Sequence, residues 1–327
     1  MAVKNLTLYF FQAIIFIAAV SCERYAPLEF PADTELHRRD SITLVLNSTM
    51  NADSIEKTVV WLQEMGTRFA LAPNSREVAL KIRNKFIKMG YIDSRLDSFM
   101  VAKRWNNKDY SVRNYNVITE LRGTLSNDSV MIIGSHYDAI VSSGDPFTST
   151  PGANDNASGV AALTEIARVM KSRNYSPLIT IQFVAFGAEE IGLLGSGYYA
   201  AKLRSAGIPV KMMINNDMIA NVISSNNKTW EINILRYGNS VDLYSKARYY
   251  CGKYTGLIST NDTSNYKRSD SYPFFLNSIK AIYFSSNGID NNYHTANDIA
   301  ANCNFDFCTL AAKISCAMLV YYDGRKQ

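Results

Sequence analysis

The stretch of residues 178–196, LITIQFVAFGAEEIGLLGS, has the clearest structural pattern in the chain. Its first part, Leu178 to Ala185, is an apolar run of strand length, and Ser196 to Arg204 follows with the pattern of a helix. The adjacent acids Glu189 and Glu190 stand between them, among glycines. This order predicts one strand–loop–helix unit of an α/β sheet, with two carboxylates at the carboxyl end of its strand.

The same alternation continues on both sides of this stretch. Helices are predicted at Ser158 to Met170, Ser196 to Arg204, Val241 to Cys251 and Phe305 to Tyr322, and further strands at Val210 to Asn215, Trp230 to Leu235 and Ala281 to Phe284. Two amphipathic helices, begun near Asp53 and Asn74, come before them. Asn116 to Leu121 and Ser129 to Gly134 are expected to pair as an antiparallel hairpin. We expect an α/β fold, a three-layer αβα sandwich with a mainly parallel mixed central sheet.

Residues of the types that bind metals recur where apolar strands end. They are His136, Asp138, Asp155, Glu189, Glu190, Asp217 and His294, the last preceded by Tyr293. Any one of them alone is more typical of a solvated loop or a helix cap. The chain has three histidines and only His37 lies outside this set. Because the carboxyl ends of parallel strands meet at one edge of a sheet, the whole set indicates a metal centre there.

Composition and the first residues limit the class of protein. With 47% hydrophobic and 19% charged residues the chain is ordinary globular protein, and a net charge of +5 is too small to predict nucleic-acid binding. Residues 1–21 have the pattern of a signal peptide, and Ala19 to Cys22 resembles a bacterial lipobox. We expect a lipid-anchored envelope protein, with a periplasmic or secreted form and a free Cys22 as the alternative.

The expected domain plan is a signal peptide at 1–21, a polar tether at 22–40 and a single catalytic domain at 41–327. Four further cysteines allow three pairings in an oxidising compartment, and Cys303 with Cys308 is the pairing we favour. No obligate protein partner is predicted.

Six motifs of this chain together resemble peptidase family M28, whose members are zinc peptidases. The motifs are Gly134-Ser135-His136-Tyr137-Asp138, Gly152-Ala153-Asn154-Asp155-Asn156, Gly187 to Ser196, Asn216-Asp217-Met218, Ser269-Asp270 and Tyr293 to Asp298. The resemblance runs from about Asn114 to Tyr322. It implies a phosphorylase/hydrolase-like fold and two zinc ions. His136 and Asp217 would hold one ion, Glu190 and His294 the other, and Asp155 would bridge them.

The resemblance also implies roles for residues that are not ligands. Glu189 would be the general base, and the Tyr293 phenol would donate to the oxyanion of the intermediate. The Asp138 carboxylate would accept the second N–H of His136. Asp270 and Asp298 would support the centre from nearby loops. Ser271 stands where the family often has histidine, and this departure touches no zinc ligand.

The function expected from this resemblance is removal of the amino-terminal residue from peptides outside the cytoplasm. The first alternative is a glutaminyl cyclase, a related reaction class that uses a single zinc ion. Tyr293 favours the peptidase, because cyclases usually have tryptophan before the last zinc histidine. A noncatalytic binding ectodomain is a third possibility, which the complete set of five ligands and a base disfavours.

Overall fold

The computed structural model describes residues 34–125 and 129–324. The predicted signal peptide, the lipobox cysteine and residues 22–33 of the predicted tether lie outside the described residues. The described part contains eight helices, which are α1 Thr34–Thr49, α2 Ala52–Gln63, α3 Ser75–Lys88, α4 Ser158–Ser172, α5 Leu194–Ser205, α6 Val241–Tyr254, α7 Ser271–Leu276 and α8 Phe305–Asp323.

One mixed sheet of eight strands runs through these residues. The strands are β1 Arg95–Trp105, β2 Lys108–Leu121, β3 Val130–His136, β4 Thr180–Phe186, β5 Val210–Asn216, β6 Glu231–Arg236, β7 Ile258–Thr260 and β8 Ala281–Ser286, in the spatial order β1-β2-β4-β3-β5-β8-β6-β7. The central strands β4, β3, β5 and β8 are parallel to one another. The expected mainly parallel mixed sheet is therefore confirmed.

Both faces of the sheet are covered by helices. Alternate residues of β3 enter different cores: Met131 and Ile133 pack with the core of α2, α3, α4, α6 and α8, and Val130 and Ile132 pack with that of α5 and α7. This period of two is what a strand buried on both faces requires. The structure is thus the predicted three-layer sandwich.

The predicted hairpin is wrong. The strand 116–121 does not pair with the strand that ends at Gly134; it belongs to the longer β2, which pairs antiparallel with β1 and β4. β3 instead pairs in parallel with β4 and β5. The true hairpin joins β1 to β2 through Asn106 and Asn107, both with positive φ. Asparagine tolerates that region, and a two-residue turn of this kind matches the twist of paired strands.

Two other predictions also need correction. The tether was expected to reach residue 40, but α1 begins at Thr34 and its Asp40 pairs with Lys253 and accepts a hydrogen bond from Tyr254. Cys303 and Cys308 are free thiols rather than a disulfide. Their sulfurs point to different carbonyls, those of Ile299 and Ser158.

In the described part of the chain, α8 is the one helix long and apolar enough to cross a membrane by composition. It is largely buried, with α1, α2, α4 and α6 packed against it. Its apolar character is explained by its place in the larger core.

Candidate metal centre

The centre lies at the carboxyl edge of the parallel strands. His136 is the last residue of β3, and Asp217 directly follows β5, the strand beside it. Glu189 and Glu190 follow β4 on the other side, where His136 is in register with Phe186. Parallel pairing thus brings three separate loops to one place, as the sequence predicted.

Asp155 divides the centre into two groups of side chains. On one side, His136 Nε2 lies 3.2 Å from Asp155 Oδ1 and 3.3 Å from Asp217 Oδ1. On the other, His294 Nε2 lies 3.1 Å from Asp155 Oδ2 and 2.9 Å from Glu190 Oε2. Each group has one imidazole and one carboxylate of its own, and the two groups share Asp155. All five predicted ligands are therefore brought together.

Glu189 lies beside this pair of groups. Its Oε2 is 4.0 Å from His136 Nε2, farther than the carboxylates of Asp155 and Asp217. Its ligand atom also lies within 4.8 Å of those of His136 and Asp217, so by distance alone it could join that group. The side chain is buried and lines a cavity of about 250 Å³. Glu189 is therefore a carboxylate that borders both the His136 group and the cavity.

Asp138 supports the centre in a different way from the one predicted. The second ring nitrogen of His136, Nδ1, is 3.0 Å from the backbone carbonyl of Asp138 and 3.8 Å from its carboxylate. The carboxylate instead accepts the backbone N–H groups of Glu189 and Glu190, at 3.0 and 3.2 Å. Asp138 therefore orients the imidazole with its carbonyl and holds the Glu189-Glu190 loop with its side chain.

Asp298 holds the loop of Asp155 in the way that Asp138 holds the loop of Glu189 and Glu190. Its two carboxylate oxygens accept the backbone N–H groups of Asn154 and Asp155, at 2.7 and 3.0 Å. Burial raises the Asp298 pKa to about 7, although these two hydrogen bonds act to lower it. Two neighbouring asparagines complete the support. Asn154 Oδ1 accepts the Ala220 N–H at 2.8 Å, and Asn156 Nδ2 donates to the Asn216 carbonyl at 3.0 Å.

The loop of Ser269 and Asp270 lies under Asp217. The Ser269 hydroxyl donates to Asp217 Oδ2 at 2.5 Å and accepts from the Asn215 amide. Asp270 is fully buried, and burial raises its pKa to about 7. Ser271, the departure from the family pattern, shares a 2.8 Å hydrogen bond with the buried Tyr237. Serine here ties α7 to the core through Tyr237.

Tyr293 stacks on the imidazole of His294, a candidate metal ligand. Its ring lies 3.7 Å from that of His294, centroid to centroid, at an interplanar angle of 21°. The side chain is 38% exposed and lines the cavity. Stacking therefore holds both the imidazole and the phenol, and the hydroxyl stays within reach of a molecule in the cavity.

Burial and neighbouring charges shift the pKa values of the ionisable groups in the centre. Burial raises the pKa of Glu190 to about 8, and repulsion from Asp155 acts in the same direction. Burial also raises the pKa of Glu189 well above its usual value. For His294, burial lowers the pKa, but Asp155 and Glu190 outweigh it and bring the pKa to about 10. The protein thus concentrates negative charge that a cation would stabilise.

The backbone near the ligands occupies an uncommon conformation. Ala188, Met218 and His294 have φ values of 60°, 57° and 55°, in the left-handed region that residues other than glycine avoid. Each lies at or beside a candidate ligand. Such conformations cost roughly 1–3 kcal/mol each and are kept where surrounding contacts impose them.

Arg68 is a residue of the centre that sequence reasoning missed. It is 2% exposed, and its guanidinium donates to the carbonyls of Tyr137, Pro151, Gly152 and Leu62 at 2.8–3.0 Å. Burial lowers its pKa to about 10, while nearby acids, Asp298 and Asp138 first, act to raise it. Gly152 is required beside it, because this residue has a φ of 47° and a Cβ there would lie 2.8 Å from the guanidinium. No motif marked Arg68, because its partners are carbonyls distant in sequence.

The ligand atoms fit a pair of zinc ions. Imidazole nitrogen and carboxylate oxygen bind zinc at about 2.0–2.1 Å, so two ligands of one tetrahedral ion lie about 3.3 Å apart. The four imidazole–carboxylate distances, 2.9–3.3 Å, are close to this value. Glu190 Oε1 is in addition buried without a hydrogen-bond partner among the residues described. The arrangement suits a cation in each group.

Comparison with known proteins agrees with this geometry. The model of peptidase family M28 matches residues 116–319, well over half of the chain. The chain belongs to peptidase family M28. The resemblance seen in the sequence motifs is therefore confirmed.

Relatives within this family carry peptidase names. A probable leucine aminopeptidase of Arthroderma otae is 25% identical over 295 residues, 88% of this chain and 76% of the relative. A probable zinc metalloprotease of Pyricularia oryzae is 38% identical over 117 residues, which are 36% of this chain and only 23% of the relative.

Solved structures share the M28 fold at low identity. The LapA aminopeptidase of Legionella pneumophila superposes with a TM-score of 0.74 at 20% identity, over 97% of this chain and 81% of that one. A glutaminyl cyclase of Bacteroides thetaiotaomicron has a TM-score of 0.66 at 18% identity, over 83% and 98%. Both reaction classes therefore occur on this fold.

Proposed function

We propose that this protein is a zinc aminopeptidase with two metal ions, and that it removes the amino-terminal residue of peptides. One observation carries the proposal: Asp155 offers one oxygen to the group of His136 and Asp217 and the other to the group of His294 and Glu190. A single carboxylate placed in this way can bridge two ions. The leucine aminopeptidase relative supports the same reaction.

Two ions at this site would acidify a shared water and polarise the scissile carbonyl. The side chains of the protein supply the remaining chemistry. Glu189 accepts the proton of the attacking water and passes it to the leaving amine nitrogen. The Tyr293 phenol donates a hydrogen bond to the carbonyl oxygen as negative charge develops there. Asp138, Asp298 and Arg68 keep the loops that bear these groups in position.

Replacement of Glu189 by glutamine tests the mechanism. The variant keeps the shape of the side chain but cannot accept a proton, so kcat should fall by about 10²–10⁴. Zinc content, measured by atomic absorption, should stay at the level of the parent. Glu56→Gln, on the exposed side of α2, is the matched control and should leave both quantities unchanged. A Glu189→Gln variant with the activity of the parent would remove Glu189 from the mechanism.

The choice between peptidase and cyclase is tested with two kinds of substrate. A panel of aminoacyl p-nitroanilides and a glutaminyl peptide are offered to the same purified sample, and zinc is counted per chain. Release of nitroaniline with two zinc ions supports the aminopeptidase. Formation of pyroglutamate with one zinc ion would replace it by the cyclase, whose fold this chain shares.

We further propose that the protein is anchored to a bacterial envelope by a lipid on Cys22 and acts on peptides outside the cytoplasm. The order of charge, apolar run and lipobox in residues 1–22 supports this location. Mass spectrometry of the mature amino terminus should find an acylated cysteine. An unmodified amino-terminal cysteine would favour a periplasmic or secreted protein instead.

A further inference from the structure

Arg268 lines the same cavity as Glu189 and Tyr293. Its side chain is exposed and makes no hydrogen bond or ion pair with any residue of the ranges 34–125 and 129–324. The other charged lining residues are His136 and the acids Asp155, Glu189, Glu190, Asp217 and Asp290. Within the described part of the chain, the guanidinium is thus a cation with neither a hydrogen bond nor an ion pair, beside a cluster of acids.

The base of Arg268 is held firmly relative to the ligands. Its backbone N–H donates to the Asn265 carbonyl at 3.0 Å. The next residue, Ser269, is fully buried and hydrogen-bonded to Asp217, and Asp270 beyond it is buried as well. The backbone therefore fixes where the arginine starts, while the exposed guanidinium is free to meet a molecule that enters the cavity.

The nearby acids do not serve as its partners. Asp290 accepts hydrogen bonds from the Asn154 amide at 2.7 Å and from the Asn292 N–H at 2.8 Å. The carboxylates of Asp155, Glu189, Glu190 and Asp217 carry a negative charge that two divalent ions would balance. With that charge balanced, the fixed positive charge of Arg268 attracts an anion and repels the ammonium group of a substrate.

We propose that Arg268 binds a carboxylate of the substrate on the leaving side of the scissile bond. The inference rests on the proposed aminopeptidase function and adds a substrate class to it. Repulsion turns the substrate ammonium away from Arg268, so the end of the peptide beyond the scissile bond faces the guanidinium. A dipeptide brings its terminal carboxylate to this position, and an aspartate after the scissile bond brings its side chain. The enzyme therefore favours dipeptides and peptides with an acidic second residue.

Three substrates test the proposal and separate the two sources of the carboxylate. Leucylglycine carries a terminal carboxylate, and leucylaspartamide carries a side-chain carboxylate. Leucylglycinamide carries neither. The parent should cleave the two anionic substrates with a kcat/KM about fivefold higher than that of the amide, the upper range for an exposed ion pair. Arg268→Gln should abolish the preference, and Arg268→Lys should keep part of it.

The control is Lys267→Gln, which removes the same charge from the neighbouring exposed residue outside the cavity. It should keep the preference of the parent, and it should cleave leucine p-nitroanilide, which has no carboxylate, at the rate of the parent. An equal preference in the parent and in Arg268→Gln would overturn the proposal.

A binding measurement separates this proposal from the proposed activity. Calorimetry with leucylglycine compares the zinc-loaded Glu189→Gln variant with the double variant Glu189→Gln/Arg268→Gln. About fivefold weaker binding by the double variant supports the carboxylate site even if no peptide is cleaved. Equal affinities would overturn it, whatever the activity.

Discussion

Arg68 should be irreplaceable by lysine. Its planar guanidinium donates hydrogen bonds to four buried carbonyl oxygens, at 2.8–3.0 Å. The Leu62 and Gly152 carbonyls also accept backbone N–H groups, whereas those of Tyr137 and Pro151 accept only from Arg68 among the described residues. An ammonium group has three donors at one point and cannot reproduce this planar arrangement, so lysine should leave these two acceptors unsatisfied. At about 1–3 kcal/mol for each buried unpaired group, Arg68→Lys should lose about 2–6 kcal/mol of unfolding free energy. That is a large share of the roughly 5–15 kcal/mol that stabilises a folded protein.

Chemical denaturation of the zinc-loaded protein measures this loss. The guanidinium chloride midpoint of Arg68→Lys should fall clearly below that of the parent. Zinc affinity should fall with it, because the Tyr137 and Gly152 carbonyls belong to the loops that bear His136 and Asp155. Arg122→Lys, an exposed arginine with one bond to Asp93, is the control and should lie within about 0.5 kcal/mol of the parent. A stability for Arg68→Lys within about 1 kcal/mol of the parent would show that the four carbonyls do not depend on the guanidinium.

Two further predictions concern the centre. Asp298→Asn replaces one of the two oxygens that accept the backbone N–H groups of Asn154 and Asp155. Zinc affinity, measured by competition with a chelator, should therefore fall about 10–100-fold. Unchanged affinity would show that the loop does not depend on this carboxylate. Chelated protein should lose thermal stability as the pH rises from about 6.5 to 9. The folded pKa of Glu190, about 8, lies above its ordinary 4.5, and that of His294, about 10, lies above 6.5, so over this range the folded state holds protons that the unfolded chain has released. Glu190→Gln should reduce the slope, and a melting temperature that rises with pH would contradict the assignment.

The sequence predicted the position of the centre because its residues obey a simple rule. His136, Glu190 and Asp217 each follow an apolar run, and parallel strands bring such positions to one edge. His294 and Asp155 were found through their motifs. The central strands, buried on both faces, have the continuous apolar pattern that marks them clearly.

What the sequence could not predict depends on contacts between distant segments. β1, with charged residues at Arg95, Lys103 and Arg104, lacks a clear apolar alternation, so β2 was paired with the wrong neighbour. The Asp138 carboxylate turned out to hold backbone N–H groups 51 and 52 residues away. Arg68 has no motif at all, because its partners are carbonyls, which every residue has.

We propose that Asp155 bridges a pair of cations. Anomalous diffraction at the zinc edge, from crystals of the zinc-loaded protein, would locate these ions. We expect two peaks about 3.5–4 Å apart. One should lie against His136 and Asp217, the other against Glu190 and His294, with one Asp155 oxygen at each. A single peak at full zinc occupancy, or peaks that do not contact Asp155, would contradict the account.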